Sequence, residues 1–190
     1  MRNVFVTEFV TLDGVMEDPG GSEGFEYGGW SFQFWGEESA KYKLDKLFAS
    51  DAILLGRVTY QGFAKAWPTM KDENGFADRM NSLPKYVVST TLEEAEWNNS
   101  TLIGENVAEE VAKLKAEDGQ DIMVAGSRQL VQTLIEADLV DEVRLMVSPV
   151  VLGTGKRLFE NLAGKKVLEL VDAKPFKTGS VVLTYRPAQG

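Results

Sequence analysis

The sequence predicts a single α/β domain of 190 residues, with a mostly parallel central sheet, helices on both faces and an antiparallel C-terminal edge. Short apolar runs alternate with segments of helical periodicity in the first two thirds of the chain, which is the pattern of a parallel sheet. The last third has strand-like runs without intervening helices, which favours antiparallel strands. The length fits one domain, and we find no linker that would divide residues 1–190.

The first half of the chain begins with a strand and a long irregular segment. Residues 3–12 alternate as a strand, and residues 13–30 are rich in glycine, which favours a mobile lid or binding loop. Apolar residues recur at helical spacing over 37–49, and a buried strand is predicted at 51–55. A helix is then expected from residue 57 to about residue 68, where a proline ends it.

The second half of the chain continues the alternation of strands and helices and then has strands only. The predicted strands cover residues 85–89, 100–103, 122–125, 142–148, 166–172 and 180–185. Helical spacing of apolar residues predicts one helix between the second and third of these strands and another between the third and fourth. The final three strands have no such helix between them, so they should complete the sheet as its antiparallel edge.

Composition excludes several classes of function. The net charge of −9 and the sequence pI near 4.7 argue against nucleic-acid binding through a basic face. We find no apolar run long enough for a membrane span and no signal-peptide pattern, so a cytoplasmic protein is expected. The chain has no cysteine and no histidine, which excludes disulfides, thiol nucleophiles, Ser-His-Asp catalysis and histidine-ligated metals. No acidic cluster follows a strand, so no metal is expected, and cofactor chemistry remains.

Two strand-to-helix junctions suit a phosphate group. Gly56 ends an apolar strand, and Arg57 and Thr59 add donors at the start of a helix, whose free N–H groups attract anions. Gly126 and Ser127 separate another strand from its helix, with Ser127 as a candidate cap. Each junction could also be an ordinary tight turn. The presence of two such junctions on one sheet strengthens the prediction of a phosphate site, because ligands bind at the carboxyl ends of parallel strands.

A third junction is less specific. Ser89 and Thr90 follow a buried strand, where hydroxyl groups contact a ribose or phosphate or simply form a turn. None of the three junctions carries the G-x-G-x-x-G pattern, so a standard Rossmann domain is not indicated.

Several short segments occur in a definite order along the chain. They are Thr11-Leu12-Asp13-Gly14, Leu55-Gly56-Arg57-Val58-Thr59-Tyr60, Val124-Ala125-Gly126-Ser127 with Leu130, Leu139-Val140-Asp141-Glu142, and Ser148-Pro149-Val150-Val151-Leu152-Gly153-Thr154-Gly155 followed by Leu158-Phe159. In this order they resemble the dihydrofolate-reductase-like superfamily, and within it the family of RibD C-terminal reductase domains. The resemblance implies a single dihydrofolate-reductase-like domain over residues 1–190.

The resemblance also implies an NADPH-dependent reductase and a homodimer, related to the 5-amino-6-(5-phosphoribosylamino)uracil reductase of riboflavin biosynthesis. Arg57 and Thr90 would face the 2′-phosphate of the cofactor. The implied cofactor-binding residues are Val15, Gly56, Arg57, Val58, Thr59, Ser89, Thr90, Gly126, Ser127, Arg128, Gln129 and Leu130. The candidate substrate-binding residues are Leu12, Asp13, Gly14, Trp35, Phe63, Trp67 and Ala125. The aromatic members of this set suit the core or a dimer interface equally well.

The chain departs from this family pattern at the substrate site. Ala125 stands where riboflavin-pathway reductases usually carry a glutamate, and residues 62–68 lack their Asp-Asp-Pro segment. A more apolar site is expected, for a small pterin-like or pyrimidine-like heterocycle or a carbonyl compound. The alternative is a non-catalytic nucleotide-binding or regulatory module. Glu37 and Glu38 are weak catalytic candidates, and complementing the helix dipole is the favoured explanation for both. Without histidine, water is the expected proton source.

Overall fold

The computed structural model describes residues 1–188. The strands are β1 (Val4–Thr11), β2 (Ser50–Gly56), β3 (Lys85–Val88), β4 (Ser100–Ile103), β5 (Asp121–Val124), β6 (Glu142–Ser148), β7 (Leu168–Pro175) and β8 (Val181–Pro187). The helices are α1 (Glu37–Phe48), α2 (Arg57–Ala66), α3 (Phe76–Ser82), α4 (Val107–Ala116) and α5 (Arg128–Glu136). Short 3₁₀ turns cover Phe32–Phe34 and Trp67–Thr69.

All eight strands form one sheet in the order β4-β3-β2-β5-β1-β6-β8-β7. Strands β1 to β6 pair in parallel, and β8 pairs antiparallel with both β6 and β7. The predicted α/β architecture, with a parallel sheet and an antiparallel C-terminal edge, is therefore confirmed. Helices connect the successive parallel strands, as βαβ crossovers usually do, except for β3 and β4, which a segment without a helix joins.

The two faces of the sheet carry separate apolar cores. One core joins alternate β1 residues such as Val4 and Val6 to α4 and α5, through Val111 and Leu130 among others. The other core joins the intervening residues, such as Phe5, to α1, α2 and α3. This alternation follows from the two-residue period of a strand that is buried on both faces.

The structure contains one helix that the sequence analysis did not predict. Helix α3 spans only seven residues. The Asp72 carboxylate accepts hydrogen bonds from the N–H groups of Phe76 (2.9 Å) and Ala77 (2.7 Å), so it satisfies donors at the start of this helix. A helix this short leaves little periodicity to detect.

The glycine-rich segment over residues 13–30 forms a loop that is stabilised by hydrogen bonds between its own residues. Asp18 is buried, and its carboxylate accepts hydrogen bonds from the N–H groups of Ser22 (2.7 Å) and Phe25 (3.2 Å). The Trp30 indole N–H donates to the Glu17 carbonyl at 2.8 Å. The loop therefore packs against itself. Within residues 1–188, no helix has the length and apolar content needed to cross a membrane.

Candidate active site at the carboxyl ends of the strands

A crevice opens where β5 parts from β1. Strand β1 pairs with β5 only as far as Val6 and Val124, whereas it continues along β6 to the pair of Thr11 and Ser148. The chain after β5 turns toward β2 instead. Helices α1 and α5, which follow β1 and β5, lie on opposite faces of the sheet. This is a topological switch point, the place where open α/β sheets bind their ligands.

The two glycine junctions lie on the β5 side of this crevice and touch each other. The Gly56 N–H donates to the Gly126 carbonyl at 3.1 Å, and a side chain at residue 56 would collide with the Ser127 hydroxyl. Gly126 has a φ of +79°, and a Cβ atom there would lie 2.6 Å from the Thr59 hydroxyl oxygen. The starts of α2 and α5 therefore lie next to each other. This is the arrangement needed if both junctions bind phosphates of the same ligand.

Neither helix start is capped by a side chain. Gly56 and Ser127 occupy the N-cap positions of α2 and α5, and neither makes a side-chain cap hydrogen bond. The expectation that the Ser127 hydroxyl caps α5 is therefore wrong, because that hydroxyl is directed toward Gly56. The first N–H groups of both helices keep their capacity to bind an anion, which fits a dinucleotide phosphate.

The polar residues predicted around the phosphates differ in whether their side chains are exposed or already hydrogen-bonded. Arg57 is exposed, and its guanidinium contacts Gln61 at 3.3 Å. Thr90 is exposed, whereas the Ser89 hydroxyl accepts the N–H groups of Thr91 and Leu92 and so forms a turn. Arg57 and Thr90 are therefore exposed polar side chains next to the ends of β2 and β3.

The remaining residues of the predicted cofactor site fall into two groups. Val58 and Gln129 are exposed, and Arg128 donates to the Glu160 carboxylate at 2.8 Å. Leu130 and Val15 have buried side chains, at 4% and 0% exposure. These two residues can face a ligand only through their backbones, and both backbone polar groups of Val15 already bond to Thr11.

An open groove of about 1070 Å³ runs beside α2. Arg57 and Lys65 of α2 line it, and so do Glu93, Glu94 and Glu96 from the segment between β3 and β4. Because the segment between β3 and β4 is acidic, an anionic group is best placed near Arg57.

One predicted substrate residue at the end of β1, Asp13, holds the loop after β6 through hydrogen bonds. The Asp13 carboxylate accepts the N–H groups of Leu152 (3.3 Å) and Gly153 (2.9 Å). A hydrogen bond from the Thr11 hydroxyl is the largest of the effects that lower the pKa of Asp13. Asp13 and Gly14 also line a small pocket of about 180 Å³, and Leu12 beside them is exposed.

The candidate aromatic residues divide between two clusters. Trp35 packs on Phe9 with ring centroids 6.0 Å apart. Phe63 and Trp67 form an edge-to-face pair at 6.1 Å and pack with Ala125 against the core beneath α2. Phe9 and Ala125 come from β1 and the end of β5, so the two clusters approach the crevice from different sides.

Glu37 and Glu38 lie exposed in the first turn of α1. The Glu38 carboxylate accepts the Lys177 N–H at 2.7 Å. This contact gives Glu38 a structural role at the β7–β8 turn.

The structure adds a buried acid and a neighbouring base that were not predicted from the sequence, Glu8 and Lys43. Glu8 is only 8% exposed, and its Oε1 atom has no hydrogen-bond partner among residues 1–188. Burial raises the pKa of Glu8 to about 8, against the opposing effects of the Lys43 ammonium and the Gly126 N–H. Burial also lowers the pKa of Lys43 to about 8, which the charge of Glu8 opposes. The Lys43 ammonium donates to the Thr7 hydroxyl at 2.8 Å.

A signal for both residues was present in the sequence. Glu8 interrupts the otherwise apolar and threonine-containing run of β1, where a charged residue is rare without a reason. Lys43 lies three residues after Ala40 and four before Leu47, on the apolar stripe of α1.

Comparisons with known proteins support this architecture. The chain matches the RibD C-terminal domain model over residues 2–183. It is 34% identical to the uncharacterized protein YyaP of Bacillus subtilis strain 168 over 187 residues, covering 97% of this chain and 94% of that protein. It is 30% identical to YwjB, another uncharacterized protein of the same strain, covering 88% of each.

Solved structures share the fold at low identity. A candidate riboflavin biosynthesis protein from Shewanella sp. PV-4 superimposes with a TM-score of 0.76 at 19% identity, covering 98% of this chain and 99% of that one. The deaminase/5-amino-6-(5-phosphoribosylamino)uracil reductase of Thermotoga maritima gives a TM-score of 0.65 at 17% identity, covering 98% of this chain and 57% of that one. The expected dihydrofolate-reductase-like fold is confirmed, and the chain belongs to the RibD C-terminal domain family.

Proposed function

We propose that this protein is an NADPH-dependent reductase of a small heterocyclic or carbonyl compound. The observation that carries the proposal is the contact between the two uncapped helix starts beside the β1–β5 crevice. Adjacent helix N-termini suit a dinucleotide, because each presents free N–H groups to a phosphate. Membership of the RibD C-terminal domain family supports a reductase.

Particular residues would hold the cofactor. The backbones of Gly56 and Gly126 would lie against the phosphates, and Arg57 with Thr90 would bind a 2′-phosphate. A bound nicotinamide would supply hydride chemistry. Residues of the crevice would orient the acceptor next to it and exclude water, which is the main contribution of a protein to such a reaction.

The substrate is expected to be flat and only modestly polar. Ala125 offers a methyl group at the end of β5, and Phe9, Trp35, Phe63 and Trp67 provide aromatic surface on the α1 and α2 side. Lys43 is the polar exception, since its ammonium lies 4.3 Å from the centroid of the Phe9 ring. An electron-poor ring or a carbonyl oxygen fits such surroundings.

Two measurements test the proposal. Quenching of tryptophan fluorescence by NADPH and by NADH gives the affinity and the cofactor preference, and NADPH binding should be the tighter of the two. NADPH oxidation is then followed with a panel of pterins, pyrimidines, quinones and aldehydes. Tight NADPH binding without oxidation by any of them would favour the non-catalytic module, and failure to bind either cofactor would overturn the proposal.

A further inference from the structure

Glu8 occupies the position in β1 where the crevice opens. Its neighbour on β6 is Leu145, while Val6, two residues earlier, is the last β1 residue paired with β5. On the β5 side, Glu8 therefore faces the Gly126 turn instead of a strand, and the Gly126 N–H is near enough to influence its carboxyl group. Glu8 therefore lies in β1 just beyond the point where the pairing with β5 ends.

Within the described part of the chain, one carboxyl oxygen of Glu8 has no hydrogen-bond partner. Val10 and Leu145, its neighbours on the same sheet face, also line the small pocket at the end of β1. An unpartnered polar atom at such depth is unfavourable unless a ligand satisfies it. Among residues 1–188, Oε1 of Glu8 is such an atom, and its carboxyl group lies near the Gly126 turn that precedes α5.

We propose that Glu8 is the catalytic acid of this reductase, delivering the proton that accompanies hydride transfer to the acceptor. This inference rests on the proposed function. The carboxyl proton of Glu8 passes to one atom of the reduced double bond, while the other atom receives hydride from nicotinamide C4. The π bond breaks, the substrate gains two electrons, and the nicotinamide loses them. Water then returns a proton to Glu8.

The elements around Glu8 suit this role. Helix α1, on the opposite face of the sheet, contributes a charged group, the Lys43 ammonium, whose charge acts on Glu8. Strand β6 contributes the apolar Leu145, and the turn after β5 contributes the Gly126 N–H. Burial outweighs both polar influences and raises the pKa of Glu8 to about 8, so the carboxyl group is mostly protonated at neutral pH. An acid with a pKa near the working pH is the most effective proton donor.

A titration tests the protonation state without any substrate. The protein is labelled with ¹³C at the glutamate carboxyl carbons, and the resonance missing from the Glu8→Gln variant is assigned to Glu8. This resonance is expected to titrate near pH 8. Lys43→Met removes the opposing charge and should shift the midpoint higher. A midpoint in the ordinary acidic range of glutamate would overturn the inference.

Kinetics test the catalytic role with any acceptor that the parent reduces. Glu8→Gln should lower kcat by about 10²–10⁴-fold, the usual contribution of general acid catalysis. Its KM and NADPH affinity should stay within about threefold, because glutamine has the shape of a protonated glutamate. The fall in rate above pH 8 should disappear in this variant and persist in Glu8→Asp, which retains an acid.

A matched control separates this inference from the proposed function. Glu23→Gln removes another glutamate whose pKa is raised by burial, in the loop over residues 13–30, and should keep the pH profile of the parent. Unchanged kcat and an unchanged pH profile in Glu8→Gln would overturn the role of Glu8 while leaving the reductase intact. Failure of the parent to bind NADPH would instead count against the proposed function, and the ¹³C titration would still decide the protonation state of Glu8.

Discussion

A Cβ atom at Gly126 would lie 2.6 Å from the Thr59 hydroxyl oxygen, so the turn after β5 packs directly on the first turn of α2. Together with the hydrogen bond from Gly56 to the Gly126 carbonyl, this contact makes the two junctions one unit. A change at either junction should therefore disturb both halves of the proposed phosphate site.

Gly126→Ala is expected to destabilise the fold by about 1–3 kcal/mol, because the φ of +79° is unfavourable for a residue with a Cβ atom. The variant should also weaken NADPH binding. Thr59→Ala in the same chain should recover only the part of the loss that comes from the close contact. Urea unfolding and cofactor titration measure the two effects.

Gly62→Ala is the control for this prediction. Gly62 lies within α2, and a Cβ atom there would meet nothing within 4 Å. Alanine should stabilise the helix by about 0.5–1 kcal/mol. If Gly126→Ala were as stable as the parent and bound NADPH equally well, the turn would not have the importance assigned to it.

Arg57→Ala should weaken NADPH binding by about 1.5–3 kcal/mol, the usual strength of a hydrogen bond to a charged group, and leave NADH binding nearly unchanged. Arg57 is exposed and hydrogen-bonds to Gln61, another exposed side chain, so the fold should tolerate the change. Lys65→Ala removes a second cation from the same groove and serves as the control. Equal weakening of both cofactors by Arg57→Ala would show that the arginine does not read the 2′-phosphate.

Glu8 should also make the stability of the protein depend on pH. Its folded-state pKa of about 8 lies above the ordinary value of 4.5, so between these values the folded state keeps a proton that the unfolded chain has released. The stabilisation is complete below pH 4.5 and is lost as pH rises through 8.

Glu8→Gln cannot titrate, so its stability should fall less than that of the parent over this window. The difference should grow by at most about 1.4 kcal/mol per pH unit. Urea unfolding of both proteins at several pH values on either side of neutrality provides the measurement. Parallel stability profiles would mean that Glu8 ionises normally in the folded state.

The edge strand β7 offers a surface for the homodimer that the family resemblance implied. Val167, which precedes it, and Leu170 and Val171 within it are about half exposed, and an edge strand with apolar side chains favours association. Light scattering coupled to size exclusion should give a dimer for the parent and a monomer for Leu170→Glu. A dimer that survives this substitution would place the interface elsewhere, and a parent monomer at micromolar concentration would contradict the homodimer itself.

Local sequence patterns were enough to predict the order of the elements, the parallel sheet and the two glycine junctions. These features depend on short-range periodicity and on residue types that suit one backbone conformation, and a strand such as Glu142–Ser148 was predicted with its observed bounds. The lack of histidine and cysteine likewise narrows the chemistry open to this chain, because it removes the commonest bases, nucleophiles and metal ligands from the composition itself.

Tertiary packing alone determines which side chains meet. Asp13 was predicted to bind substrate. In the structure its carboxylate accepts hydrogen bonds from the N–H groups of residues 152–153, which lie some 140 positions away in the chain. Glu8 and Lys43 were visible as charges in apolar patterns, but their properties come from burial and from the divergence of β5 and β1. Long-range packing determines how strongly a buried charge is desolvated and which hydrogen-bond partners it has. Neither property can be predicted from local sequence patterns.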